Sequence, residues 1–192
     1  MIETDRFSKV EIISLAELRN WLEAHYNQTE SVWLVRFKKQ TAEKFVDRLD
    51  VLDELLCFGW IDGIARKLDD TRTMQLISPR RHQVWAQSYK LRVERLSIEG
   101  RMHKAGLAAI ASSKAQGLWD AMADVDALEI PDDLAVALDA VPLAGSSFRN
   151  AAPSYRRTIL RWIKIAKSPE TREKRIKTTV DYATRNTKVP QM

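Results

Sequence analysis

Two stretches of the chain bring together side chains able to do chemistry. The first is Cys57-Phe58-Gly59-Trp60-Ile61-Asp62-Gly63, where a carboxylate sits between a large apolar ring and a glycine. Within a deep pocket such a carboxylate can serve as an acid or base. Hydrogen bonds from backbone amides or an arginine would instead make it a structural anion that fixes a turn. The second stretch is Ser78–Lys90, "SPRRHQVWAQSYK", where Arg80 and Arg81 follow a proline and Trp85 and Tyr89 stand i, i+4 on an expected helix. Arginine beside aromatic rings can take a phosphate, a carboxylate or a stacked base. Equally, these arginines can pair with Asp62 while Trp85 packs in the core. Asp62 enters and Arg80 leaves one expected hairpin, so Arg80 or Arg81 is the expected charged partner of Asp62.

Other chemistries lack their residues. One cysteine and three histidines (His25, His82, His103), scattered without ligand spacing, give no expected metal site. Cys57 follows a leucine-rich run and has no basic neighbour in sequence, so it reads as a small buried hydrophobe rather than a nucleophile. The chain has no phosphate loop, dinucleotide fingerprint, nucleophile elbow or His-Glu-x-x-His. No cofactor and no catalytic residue is therefore assigned. The paired acids Asp53-Glu54 and Asp132-Asp133 are expected on solvated helix surfaces.

The net charge of +5 is unevenly spread. Residues 117–148 hold seven acids and no Lys or Arg, whereas from Arg149 onward twelve basic residues face three acids. Arg157, Arg161 and Lys164 recur at i, i+4 and i+7, and Arg172 and Arg175 extend the pattern beyond Pro169. These five are the candidate anion-binding residues, open to nucleic acid or an anionic surface. The competing expectation, favoured here, is neutralisation by Asp120, Asp124, Asp126, Asp132 and Asp133.

Elements to position these residues can be read from local signals. Ser14 and Glu17 form a capping box ahead of a helix over 14–26. "SVWLVRFKK" is a strand loaded on both faces, and Asp47 caps a helix carrying Leu49, Leu52, Leu55 and Leu56. Gly59 stands where a left-handed residue after that helix is wanted. "IARKLDD" and "TRTMQLIS" read as a hairpin turning at Asp69-Asp70. Beyond Pro79 only helices are expected: 84–100, 103–117, a short one after Pro131, and one each from Pro153 and Pro169. The low glycine count, six residues, agrees with a helix-rich chain. No apolar run approaches the roughly 18 residues of a membrane span, and "MIETDRFSKVEI" has no apolar core of a secretory leader.

The pieces together resemble the YdeI/OmpD-associated bacteriocin-protection proteins over nearly the full length. The resemblance is carried by residues 57–63, Pro79-Arg80-Arg81 ahead of Trp85, Gly100-Arg101-Met102 with Ala105-Gly106, and Gly117 with Trp119. It continues through Pro153-Ser154-Tyr155-Arg156, Ala166-Lys167, Thr171-Arg172 and Arg175-Ile176. The family's serine-flanked Trp and downstream Asn are replaced here by a helix with Gln83, Ala86 and Tyr89. The resemblance implies a cytoplasmic bacterial protein that protects against bacteriocins or antimicrobial peptides, and it implies no catalytic residues.

The expected fold is α+β: an α+β region over 1–105, with a small antiparallel or mixed sheet packed by helices, then a helical region over 106–192 packed with it. The expected function is a non-catalytic module binding a small ligand or protein near Trp60, Asp62, Arg80, Arg81, Trp85 and Arg101. A nucleic-acid or anionic-surface binder is the alternative, and an enzyme using Asp62 the third reading.

Overall fold

Ser14 starts the first helix for a local reason. Its hydroxyl accepts from the Glu17 amide at 3.2 Å, and the Glu17 carboxylate accepts from the Ile13 amide at 2.8 Å. Two N–H groups near the helix start are thus satisfied. Helix α1, Leu15–His25, then buries Leu18 and Leu22. Asp47 caps α2, Arg48–Cys57, by accepting from the Leu49 amide at 2.7 Å. The computed structural model describes residues 6–190; the leader expectation rests on residues 1–12, of which 1–5 lie outside that range.

The chain divides into two compact units, Met1–Asp120 and Ala121–Met192. In the first, strands β1 (Lys9–Ile12), β2 (Val32–Phe37), β3 (Trp60–Lys67) and β4 (Arg72–Pro79) form one sheet in the order β1-β2-β4-β3. β1 runs parallel to β2, and β4 is antiparallel to both of its neighbours. Four residues with one fully buried side chain, Ile12, give β1 little signal of its own. Its pairing with β2 is what makes it a strand. The hairpin forms as expected, with a register shift between Asp62 and Ala65.

Side chains alternate across a sheet, so the register decides which residues share a face. Val32 opposes Ile77, Leu34 opposes Gln75, and Asp62 opposes Ile77. Asp62 and Gln75 therefore project to the face that carries Leu34 and Ile77. There these apolar residues join Leu18 and Leu22 of α1 and Leu52, Leu55 and Leu56 of α2 in one core. β2 is buried on both faces, Trp33 and Val35 included.

Helices α3 (Gln87–Ile98) and α4 (Lys104–Ala115) complete the unit. α3 begins later than expected. Trp85 precedes its N-cap, Ala86, because the Trp85 amide donates to the Leu118 carbonyl at 3.3 Å and its ring packs 4.9 Å from that of Trp119. Trp85 and Tyr89 are accordingly not two positions of one helix face.

The second unit is helical: α5 (Ala123–Asp126), α6 (Asp132–Asp139), α7 (Pro142–Asn150), α8 (Pro153–Lys164) and α9 (Pro169–Thr184). Ser168 caps α9 by accepting from the Thr171 amide, with Pro169 at the first helical position. Leu134, Leu138, Phe148, Ile159, Ile163 and Ile176 are buried in it. α7 has no counterpart in the sequence reading, because "PLAGSSFRN" is poor in strong helix formers; it buries Ala144, Gly145 and Phe148. The chain is α+β, and among the described residues no helix is long and apolar enough to cross a membrane.

Candidate functional site

Asp62 leaves the β3 backbone on the core face, with its side chain only 8 % exposed. Three donors converge on it. The Tyr89 hydroxyl donates to Oδ1 at 2.5 Å, while Gln75 Nε2 and Arg48 Nη2 donate to Oδ2 at 3.1 and 3.2 Å. The charged partner is therefore Arg48, at the start of α2, and not Arg80 or Arg81. Sequence proximity across the hairpin favours the wrong pair because the register sets Asp62 opposite Ile77, while the Arg80 guanidinium lies over Trp85 and Arg81 reaches the Thr29 carbonyl. Burial, reinforced by the bond to Asp62, pushes the Tyr89 phenol up to about 12, so its proton stays in place as the donor.

Arg80 has a different surrounding. It is 8 % exposed, and its Nη1 donates to the Gln83 and Val84 carbonyls at 3.1 and 3.3 Å. Its guanidinium carbon lies 3.9 Å from the centre of the Trp85 ring and 5.6 Å from that of Tyr89. Nε and Nη2 are buried with no protein partner, as are the indole Nε1 atoms of Trp60 and Trp85. Burial pulls the Arg80 guanidinium down to about 10, against the opposing effect of Tyr89 and Asp62. Together with Arg36 Nε, every unpaired buried side-chain polar atom among the described residues of the first unit is a donor. Leaving such groups unpaired costs on the order of 1–3 kcal/mol each.

Arg81 is exposed and donates to the Thr29 carbonyl at 2.7 Å. Arg101 belongs to another cluster, donating to Glu54 at 2.6 Å and Glu99 at 3.2 Å. Glu54 also receives Arg19 at 2.9 Å, and Asp53 receives Arg92 at 2.7 Å together with Arg95. Asp53 and Glu54 are each 5 % exposed, which corrects the solvated surface expected for them. Every residue from Val51 to Cys57 is buried, with Leu52 and Leu55 flanking the two acids. Cys57 is buried too, and burial, followed by the charge of Glu54, raises its thiol to about 11. A thiol so held is a poor nucleophile at neutral pH.

In the second unit the basic stripe is largely taken up internally. Lys164 donates to Asp124 at 2.5 Å, and Arg172 grips Asp133 with Nε and Nη2 at 2.6 and 2.9 Å. Arg157 donates to the Asp126 carbonyl at 3.3 Å, and Arg175 to the Trp162 carbonyl. Arg161 stays exposed. Asp120 belongs to the first unit, where it pairs with Lys90. A cavity of about 570 Å³ is lined by Leu143, Ser146, Tyr155, Asn186 and Lys188 among others, and none of the five basic candidates reaches it. Among the described residues no three His, Cys, Asp or Glu gather so as to hold a metal ion.

The structure thus brings Asp62, Arg80 and Trp85 together around Tyr89, and separates Arg81 and Arg101 from them. The residues that sequence reasoning missed are Arg48 and Gln75. Alternation along "TMQLIS" groups Gln75 with Ile77 and Met74 with Leu76 without choosing the core face, so neither Gln75 nor Arg48 had a signal of its own. In comparison with known proteins, residues 10–109 match the model of a domain of unknown function, DUF8412. Residues 127–186 match the family described as Bacteriocin-protection, YdeI or OmpD-Associated. No curated protein and no solved structure matches the chain.

Proposed function

The chain belongs to the DUF8412 family and carries a bacteriocin-protection, YdeI or OmpD-associated domain, and from that premise we propose that it acts in protection by binding rather than by catalysis. In this reading the first unit is a cytoplasmic ligand-binding module centred on Trp60, Arg80 and Trp85, with Asp62 and Tyr89 as its fixed wall. The observation that carries it is the surplus of buried donors: Arg80 Nε and Nη2 and the two indole nitrogens have no protein acceptor. A buried polar group without a partner is costly, and a ligand rich in acceptors removes that cost on binding.

The competing readings have less support. An enzyme using Asp62 needs a carboxylate free to exchange protons with substrate, yet this one already accepts from Tyr89, Gln75 and Arg48. A nucleic-acid binder needs free cations on one face, and Lys164 and Arg172 are engaged by Asp124 and Asp133.

A thermal-shift screen against metabolites, metals, nucleotides and peptides tests the proposal, since a ligand specific to the folded state raises the melting temperature. Stabilisation by an acceptor-bearing compound, lost in Arg80→Gln, is the expected result. Failure of every class to raise the melting temperature would remove the proposal.

A further inference from the structure

Arg80 carries more information than a positive charge. A guanidinium presents its donors in a fixed planar fork, with Nε–H and one Nη on the same edge, matched to the two oxygens of a carboxylate. This chain uses that edge elsewhere. Arg172 holds both oxygens of Asp133 through Nε and Nη2 at 2.6 and 2.9 Å, and Arg72 closes the same edge on one oxygen of Asp69, Nε at 2.8 Å and Nη2 at 2.7 Å from Oδ2. In Arg80 it is Nη1 that the Gln83 and Val84 carbonyls occupy, and the same Nε/Nη2 edge is buried and unpaired. Stacking on Trp85 and the two carbonyl bonds fix the plane and direction of the fork before anything binds, which lowers the ordering cost of association.

We infer that the ligand of the first unit is a small monocarboxylate, gripped side-on by Arg80 Nε and Nη2. This rests on the binding reading above and names its ligand class. The charge count around the fork selects a monoanion. Arg48 is matched by Asp62, so Arg80 contributes the single unbalanced charge. A phosphate dianion would overfill it beside the Asp62 carboxylate, with no second unengaged cation in the cluster. Entry is over the connection from Arg80 to Ala86, which forms neither helix nor strand and is exposed at Arg81, His82 and Gln83. Its ends are held by the Arg80 amide on the Gly59 carbonyl and the Trp85 amide on the Leu118 carbonyl, while between them two exposed side-chain contacts tie it down, Arg81 Nη2 to the Thr29 carbonyl and His82 Nδ1 with Gln116 Oε1.

The experiment is a titration of the ¹⁵N-labelled full chain with acetate, benzoate, benzamide and inorganic phosphate, following the Arg80 Nε–H resonance and the indole N–H resonances of Trp60 and Trp85. The carboxylates should move Arg80 Nε–H, while benzamide, equal in shape to benzoate but uncharged, should not. Arg80→Lys keeps the charge and loses the fork, and should weaken benzoate binding about tenfold or more. If that variant does not fold, the wild-type resonances decide alone. An Arg80 Nε–H that ignores carboxylates, or an Arg80→Lys that binds benzoate as tightly as wild type, overturns the inference. Phosphate or another class moving these resonances where carboxylates do not would sink the carboxylate assignment and leave the binding reading standing. Silence from every class in both this titration and the thermal screen would remove both.

Discussion

Gly106 of α4 lies against the Cys57 carbonyl so closely that a Cβ built on it would stand 2.2 Å from that oxygen and 2.8 Å from its carbon. The same oxygen accepts from the His103 amide at 3.0 Å, which ties the end of α2 to the start of α4. Neither backbone can retreat without breaking that bond. Gly59 is the second half of the joint: its φ is +74°, and a Cβ there would meet Ala109 Cβ at 2.8 Å. The stretch 57–63 is thus a corner whose Gly59 admits a neighbouring helix as well as turns the chain.

Three alanine substitutions separate strain from contact. Gly100→Ala, with φ +68° and open space around it, should cost about 1 kcal/mol. Gly59→Ala adds a contact to the same strain and should cost about 2 kcal/mol. Gly106→Ala gains helix propensity of about 1 kcal/mol yet should still lose about 2 kcal/mol or more net. Urea unfolding of the three variants checks the order, and a neutral Gly106→Ala would refute the packing account.

The Asp62 cluster should respond unequally to its members. Arg48 is mostly exposed, so Arg48→Ala should cost less than about 1 kcal/mol. Tyr89→Phe should cost about 1 kcal/mol, and Asp62→Asn, which turns an amide donor toward Gln75 or Arg48, about 2 kcal/mol. A double-mutant cycle of Tyr89→Phe with Asp62→Ala, which removes the acceptor, should show coupling of about 1 kcal/mol, read by urea unfolding. Additive losses would mean that the 2.5 Å bond contributes nothing.

Cys57 predicts a pH dependence. Its thiol ionises near 9.0 when unfolded and at about 11 in the fold. Below pH 9 both states keep the proton. Above it the unfolded chain releases the proton first, so stability falls as pH rises toward 11. Approaching pH 10 the raised Tyr89 phenol deepens the fall and the lowered Arg80 guanidinium opposes it, so the comparison with a cysteine variant over pH 9 to 10 gives the cysteine's share. Chemical denaturation across that interval should show a decline that Cys57→Ala flattens. An equal slope in the variant would assign the decline to another group.

The basic second unit should not hold generic duplex DNA at physiological ionic strength. Duplex binding weakens by roughly 0.9 logarithmic units per phosphate contact for each tenfold rise in salt, and two of the five stripe cations already have carboxylate partners. Fluorescence anisotropy with a labelled duplex checks this. Salt-sensitive binding abolished by Arg157→Glu with Arg161→Glu, in a folded protein, would reverse the reading.

Short-range features of this protein were decided by the sequence by itself. The caps at Ser14, Asp47 and Ser168, the left-handed Gly59 and the hairpin around Asp69-Asp70 follow from groups within four residues of one another, whose steric and hydrogen-bond preferences act without the rest of the chain. The neutralised stripe was half legible for the same reason, since acidic and basic blocks adjoin. Tertiary structure alone decided the partners. Whether Asp62 meets Arg80 or Arg48 depends on where α2 starts over the sheet and on the register shift after Asp62, neither of which leaves a mark in residues 57–90. Asp53 and Glu54 look like surface acids until Arg92, Arg95, Arg19 and Arg101 arrive from α3, α1 and the α3–α4 connection to cover them. Trp85 follows a helical spacing yet stays outside α3, because a stack on Arg80 and a bond to Leu118 hold it more firmly than local propensity can. Side-chain pairing across tens of residues is set by packing of whole elements, and one-dimensional spacing carries no measure of it.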